Sequence, residues 1–332
     1  MMRRRQFIAL LGGAAVAGPL AARAQEAGRM RRVGVLMAFD ENDPEARAYL
    51  SGFTQGLAEL GWIDGRNLHI DVRWAAGNVD RMRMSAKELL DLQPEVILAH
   101  GTPATAAFQR ETRTIPIVFA IVADPVGSGL VASLPRPGGN ITGFLVEEAS
   151  TTGKRLELLT EIAPRVKRVA ALFNPDTAPY VKSYYLPSFE AAAHLLGVEP
   201  ITAPVRNDAE IEAVINALGQ QPIGGLVVMN DSFMFVHRSQ IISVSDRNKV
   251  PAVYYDKIFA REGGLLVYGI DRADIFRRSA PYVDRILRGA KPNDLPVEYP
   301  TRFSLLINLK TAKTIGLEVP PTLLTFADEV VE

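Results

Sequence analysis

From residue 30 onward the chain alternates two hydrophobic patterns. Residues 31–39 form a near-continuous apolar run, as a strand buried on both faces requires. Residues 44–60 carry helical spacing instead, with Ala46, Leu50, Phe53, Leu57 and Leu60 on one face. The same logic predicts strands at 67–74, 94–99, 115–120 and 140–145. Helices are predicted at 79–92 and 104–110, with 101–103 as a turn between strand and helix. A helix bearing Leu156, Leu159, Ile162 and Ala163 follows, and the series starts again. Its strands are predicted at 168–173, 198–205, 224–231, 251–256 and 263–271. Its helices are predicted at 184–196, 208–218, 239–248 and 275–288. Regular β-α alternation implies parallel sheets covered by helices on both faces. The series is played twice, so the expected architecture is α/β with two Rossmann-like lobes.

The length of 332 residues suits two domains and a substantial core. Lys+Arg and Asp+Glu are both 37, and this zero balance argues against nucleic acid as a partner. Cysteine is absent, so disulfides, thiolate metal sites and a thiol nucleophile are excluded. The four histidines, His69, His100, His194 and His237, lack metal-ligand spacing, and no metal is expected. Gly127-Ser128-Gly129-Leu130-Val131-Ala132 fits a dinucleotide fingerprint, with Glu147 at the distance of a ribose-binding acid. Pro135 and Pro137 leave no room for the helix that this fingerprint needs. Neither a nucleophile elbow nor a P-loop is present. The pattern therefore points to binding without catalysis and without a cofactor.

The N-terminus reads as a leader. Arg3, Arg4 and Arg5 precede an apolar stretch at 7–17, and Ala22-Arg23-Ala24 fits a small-x-small cleavage site. Residues 1–24 are thus expected to be a signal peptide. Arg4-Arg5-Gln6-Phe7-Ile8 matches a twin-arginine pattern, while Arg3 stands where Ser or Thr is usual, so both export routes stay open. The expected location is the periplasm.

In open α/β sheets ligands bind beyond the carboxyl ends of the strands. Here those ends are polar. Asp40, Asn42, Thr102, Asp124 and Ser128 follow strands of the first series; Asn174, Asn230 and Asp231 follow strands of the second. Aromatic side chains stand beside them, and Phe119, Tyr180, Tyr254 and Tyr268 are candidate pocket walls. Asp and Asn after strands also cap helices and make turns, so each has a structural reading of equal standing.

Three segments carry a resemblance to a known family. They are "GWIDGRNLHIDVRWAAGN" at 61–78, "PIVFAIVADPVGSGLVASLPRPGGNITGF" at 116–144, and "INLKTAKTIGLEVPPTLLTFADEVVE" at 307–332. The chain resembles ABC-transporter substrate-binding proteins, a family with tryptophan- and tyrosine-binding members. The resemblance implies a type I periplasmic-binding-protein fold: two lobes with parallel sheets, joined by three interlobe crossings. It places lobe one at 30–147 plus 270–295 and lobe two at 148–269 plus 296–332. It implies a monomer that binds a small molecule, an amino acid or similar carboxylate, and serves an ABC permease in the inner membrane. A periplasmic ligand sensor with the same fold is the alternative. In that picture Asp124 or Asp231 meets the ligand's ammonium. Thr102, Ser128 and the backbone amides around Gly127 and Gly129 meet its carboxylate.

Overall fold

A computed structural model of the chain describes residues 30–220 and 224–332. The expected leader lies outside them. The first sheet holds β1 (Arg31–Met37), β2 (Leu68–Trp74), β3 (Val96–His100), β4 (Ile117–Val122) and β5 (Ile141–Leu145). Its order is β2-β1-β3-β4-β5, all parallel. The second sheet holds β6 (Arg168–Phe173), β7 (Glu199–Pro204), β8 (Gly225–Val228), β9 (Ala252–Tyr254), β10 (Leu266–Ile270), β11 (Phe303–Asn308) and β12 (Glu329–Val331). Its order is β12-β11-β10-β9-β8-β6-β7, with β10 and β11 antiparallel and every other pair parallel. The continuous apolar runs are explained by burial on both faces: β3, β4 and β5 are buried along their whole length.

On the first sheet lie α1 (Pro44–Glu59), α2 (Val79–Asp91) and α3 (Thr102–Glu111). The helix expected from residue 104 begins earlier, and Pro103 sits in its first turn, where its missing N–H costs nothing. The second sheet carries α4 (Ser150–Ile162), α5 (Leu186–Leu196), α6 (Asp208–Leu218), α7 (Ser232–Val236), α8 (Arg238–Arg247) and α9 (Lys257–Arg261). A π-helical turn at Val181–Tyr185 leads into α5. Two strands are shorter than expected, because Asp231 and Asp256 leave the sheet to cap α7 and α9.

After β10 the chain enters α10 (Arg272–Leu287), which packs on α1, β3 and β4 of the first sheet. Gly56 permits that packing, since a Cβ there would come within 2.9 Å of Ala280 Cβ. Val297 and Glu298 remain beside the first sheet: Leu145 N–H donates to the Glu298 carbonyl at 2.9 Å. The chain then joins β11, α11 (Leu309–Ile315), α12 (Pro321–Phe326) and β12. A fully buried ion pair braces the region where these segments pass. Arg155 of α4 grips both carboxylate oxygens of Glu147 and donates through Nε to the Tyr268 carbonyl at 2.8 Å. Glu147 is therefore committed to Arg155.

Candidate ligand cleft

A cavity of about 360 Å³ opens between the loops that follow the strands of the two sheets. The first-sheet wall is Val79 and Arg83 of α2, one face of α3 (Thr102, Pro103, Ala106, Ala107, Arg110), and Asp124, Gly127 and Ser128 after β4. The second-sheet wall is Asp176, Pro179, Tyr180 and Ser183, from the segment after β6. An outer cavity of about 590 Å³ shares Val79, Arg83 and Asp176 with it and adds Asn174, Thr177, Phe233 and His237.

The end of β4 shows how local sequence shapes the inner wall. Its register with β5 shifts between Ala120 and Val122. Ile121 sits there at φ +63°, a conformation that β-branched residues rarely adopt. Such bulges re-aim the chain at a strand end. Asp124 follows at φ +43°, and its Oδ1 accepts from Gly127 N–H at 2.8 Å. A Cβ at position 127 would lie 2.0 Å from Asp124 Oδ2, so any other residue would push this carboxylate aside. The Thr102 hydroxyl, 3.2 Å from the Ala123 carbonyl and 3.1 Å from its N–H, pins α3 to the end of β4.

The amide cradle expected at Gly127-Ser128-Gly129 does not form. Gly127 N–H goes to Asp124 Oδ1, Ser128 N–H to the Asp124 carbonyl, and Gly129 N–H to the Val126 carbonyl. The turn consumes its own donors. Gly101, which precedes α3, adds no side-chain cap, so the start of that helix is the positive end that faces the cavity.

Of the residues singled out from sequence, Thr102, Asp124, Ser128 and Tyr180 line the inner cavity, and Asn174 lines the outer one. The others are employed elsewhere. Asp40 and Asn42 are exposed before α1, with Asp40 Oδ1 accepting from Asn42 N–H at 2.8 Å. Phe119 is fully buried inside β4. Tyr254 is buried against Phe259, ring centroids 4.7 Å apart. Tyr268 stacks on Phe303 at 5.5 Å. Asn230 is buried; its Oδ1 accepts from Arg272 and its carbonyl from the Tyr180 hydroxyl. Asp231 is 2% exposed and accepts from Asn174 N–H, Phe233 N–H and the Thr177 hydroxyl. Burial pushes its carboxyl up to about 6, outweighing those three bonds, which act downward. It braces the loops after β6 and β8, and of the two acids left open by sequence only Asp124 reaches the cavity.

Sequence reasoning missed Arg83, Arg110, Ala106 and Ala107. The signal was present, because residues 102, 103, 106, 107 and 110 share a helical face once α3 starts at Thr102. It also missed a second meeting of the two sheets, on the side of α1 and α10. There Phe39 stacks on Phe235, centroids 3.9 Å apart and planes 8° from parallel. His100 stands edge-on to Phe39 at 4.4 Å. The Tyr49 hydroxyl donates to Asp256 at 2.9 Å, and Arg272 reaches Asp256 and Asn230, each at 2.7 Å. Arg238 pairs with Asp43 at 2.6 Å and lies over the Phe235 ring. Burial, then the charge of Arg272, holds the His100 imidazole down at about 3.

Among the described residues no group of His, Asp and Glu is placed to hold a metal, and no helix is long and apolar enough to cross a membrane. Two sheets with a cleft between their strand ends define a ligand-binding architecture. Residues 33–331 match the model of the ABC transporter substrate binding protein family, and the chain belongs to that family. It is a binder of small molecules, not an enzyme. A "Tyrosine-binding protein" of Clostridioides difficile is 26% identical over 267 residues, 80% of this chain and 76% of that protein. A conserved domain protein from Vibrio cholerae has a solved structure 27% identical in sequence, with TM-score 0.84 over 91% of this chain and 100% of that one. An ABC domain from Streptococcus pneumoniae, solved with L-Trp bound, is 26% identical, with TM-score 0.83 over 91% of this chain and 99% of that one.

Proposed function

We propose that the protein captures an amino acid, with an aromatic one preferred, in the 360 Å³ cavity and delivers it to an inner-membrane ABC permease. One observation carries this reading. The cavity presents both signs of charge: Arg83, Arg110 and Asp124 on the first-sheet wall, Asp176 on the other. A zwitterion complements such a lining, and Val79, Pro103, Ala106, Ala107 and Pro179 supply apolar wall for a side chain. The names of the similar proteins support the ligand class, since one is called tyrosine-binding and one was solved with L-Trp. Asp124 is the partner for the ammonium. The first turn of α3 is the partner for the carboxylate.

Lobe one is then 30–147 with 270–295, and lobe two 148–269 with 296–332. The packing of α10 on α1 supports the first pair. The contact of Glu298 with β5 favours ending lobe one near residue 298 rather than 295, with the third crossing at about residues 299–302. The working location is the periplasm, reached by the leader at 1–24 through the twin-arginine or the general route. The protein works there as a monomer. A thermal-shift screen of the mature protein against amino acids tests the reading, because a ligand that binds only the folded state raises the melting temperature. A dose-dependent rise with an aromatic amino acid is expected. No rise with any amino acid refutes it.

A further inference from the structure

The inner cavity is long and chemically uneven. Thr102 and Arg110 stand at opposite ends of the α3 face that forms its wall. At a rise of roughly 1.5 Å per residue they are about 12 Å apart along the axis. Ala106 and Ala107 lie between them and leave that wall smooth. The loop after β4 runs the same length. It is tied to Thr102 at Ala123 and to Gln109 at Gly129, where Gln109 Nε2 donates to the carbonyl at 2.6 Å.

The polar groups divide between the two ends. Asp124 stands next to the residue that bonds Thr102, so the ammonium end of a ligand belongs there. Arg110 stands at the other end, two helical turns away. It is exposed, and among the described residues it has no ion pair or hydrogen-bond partner. Arg83 differs, since its guanidinium already donates to Asp80 at 2.9 Å. Tyr180, on the opposite wall, has its hydroxyl committed to the Asn230 carbonyl, so it offers a ring face and no donor. Arg110 is the uncommitted donor at the remote end. A guanidinium has donors only and fits an oxygen acceptor, best of all a carboxylate.

We propose that Arg110 sets ligand specificity: the cavity prefers an aromatic amino acid whose ring bears an oxygen acceptor or an anion at the end remote from the α-carbon. This deepens the amino-acid reading and rests on it. Isothermal titration of the mature protein tests it with L-phenylalanine, L-tyrosine, 4-carboxy-L-phenylalanine and L-tryptophan. The expected affinity order is 4-carboxy-L-phenylalanine, then L-tyrosine, then L-phenylalanine, with about tenfold between first and last, as a charge-assisted hydrogen bond implies. L-tryptophan gains no hydrogen bond from Arg110, because the indole offers only a donor. In Arg110→Gln the order collapses to within about twofold. Arg110→Lys keeps the preference for the carboxylate but loses that for the phenol. An unchanged melting temperature of the ligand-free variants separates specificity from folding. Equal affinities in the unmodified protein, or a preference that survives Arg110→Gln, overturn the inference and leave the amino-acid reading standing. Binding of none of the four overturns both.

Discussion

The two sheets meet in two places, and the places differ in kind. On the α1 and α10 side the junction is dry. Phe39 and Phe235 fill it, Tyr49 and Arg272 both bond Asp256, and Arg272 also bonds Asn230, while His100 Nδ1 and Asn230 Nδ2 are buried without a partner among the described residues. On the α2 and α3 side the same kind of strand-end loops enclose a cavity, where Arg83, Arg110 and Asp176 stay exposed. Both junctions carry charge. In the first the charges are answered within the chain; in the second Arg110 waits for something outside it. The site is thus found where charged groups stay open to a cavity, not where polar residues are most numerous.

The largest expected effect falls on the dry junction. Asp256→Ala removes the partner of both Arg272 and Tyr49, each buried. Stability should fall by about 3–5 kcal/mol, as for a buried ion pair that loses one member. Urea unfolding measures it, and a loss below about 1 kcal/mol would show that the junction is not what joins the halves.

Acid separates two buried groups, His100 of the dry junction and Asp231 of the second-sheet loops. His100 is held at about 3 against an ordinary 6.5, so below pH 6.5 the unfolded chain takes a proton that the folded one refuses. Stability through this group is lost as pH falls, by about 1.4 kcal/mol per unit. Asp231 stands at about 6 against an ordinary 3.8, so from pH 6 to 3.8 the folded state holds the extra proton. Stability through it is gained over that window, and the two effects oppose. His100→Gln should remove only the first. Denaturation midpoints from pH 6.5 to 4.5 should then rise toward acid relative to the unmodified protein. Parallel pH profiles would refute the assignment to His100.

The cavity side should behave in the opposite sense. Asp124→Asn keeps the side chain's shape, and stability should change by less than about 1 kcal/mol because the group is half-exposed. Amino-acid affinity should fall by about 1–3 kcal/mol through the lost ammonium partner. Asp231→Ala reverses the pattern, costing stability through α7 and the loop after β6. Titration and unfolding of both variants together sharpen the contrast. The same loss of affinity in each would erase it.

Much of the fold was legible in the pattern of apolar positions. The strand at 168–173 and the helix at 208–218 occupy the residues that the pattern assigns to them. Burial on both faces makes parallel strands read as continuous apolar runs. The helices α7 and α9 were not legible, since five residues cannot display a helical period. The site was legible in part. Thr102, Asp124 and Ser128 were marked by following a strand and Tyr180 as an aromatic beside them, but Asp231 and Asn230, which serve as cap and brace, follow strands too. Sequence cannot separate these uses, because they depend on which loop arrives opposite. Arg83 and Arg110 escaped for another reason. An arginine on the outer face of a helix is ordinary until a second wall is set against it.

The central claim is that ligand lies in the inner cavity, away from the dry junction. Ala106 lines that cavity midway along α3 and is only half-buried. Ala106→Phe adds a ring to empty space, so the fold should tolerate it. Isothermal titration of this variant with the amino acid that most stabilises the unmodified protein tests the claim most directly. The account predicts a loss of more than about tenfold in affinity, that is about 1.4 kcal/mol, with an unchanged melting temperature in the absence of ligand. Unaltered affinity in a folded Ala106→Phe protein would contradict it.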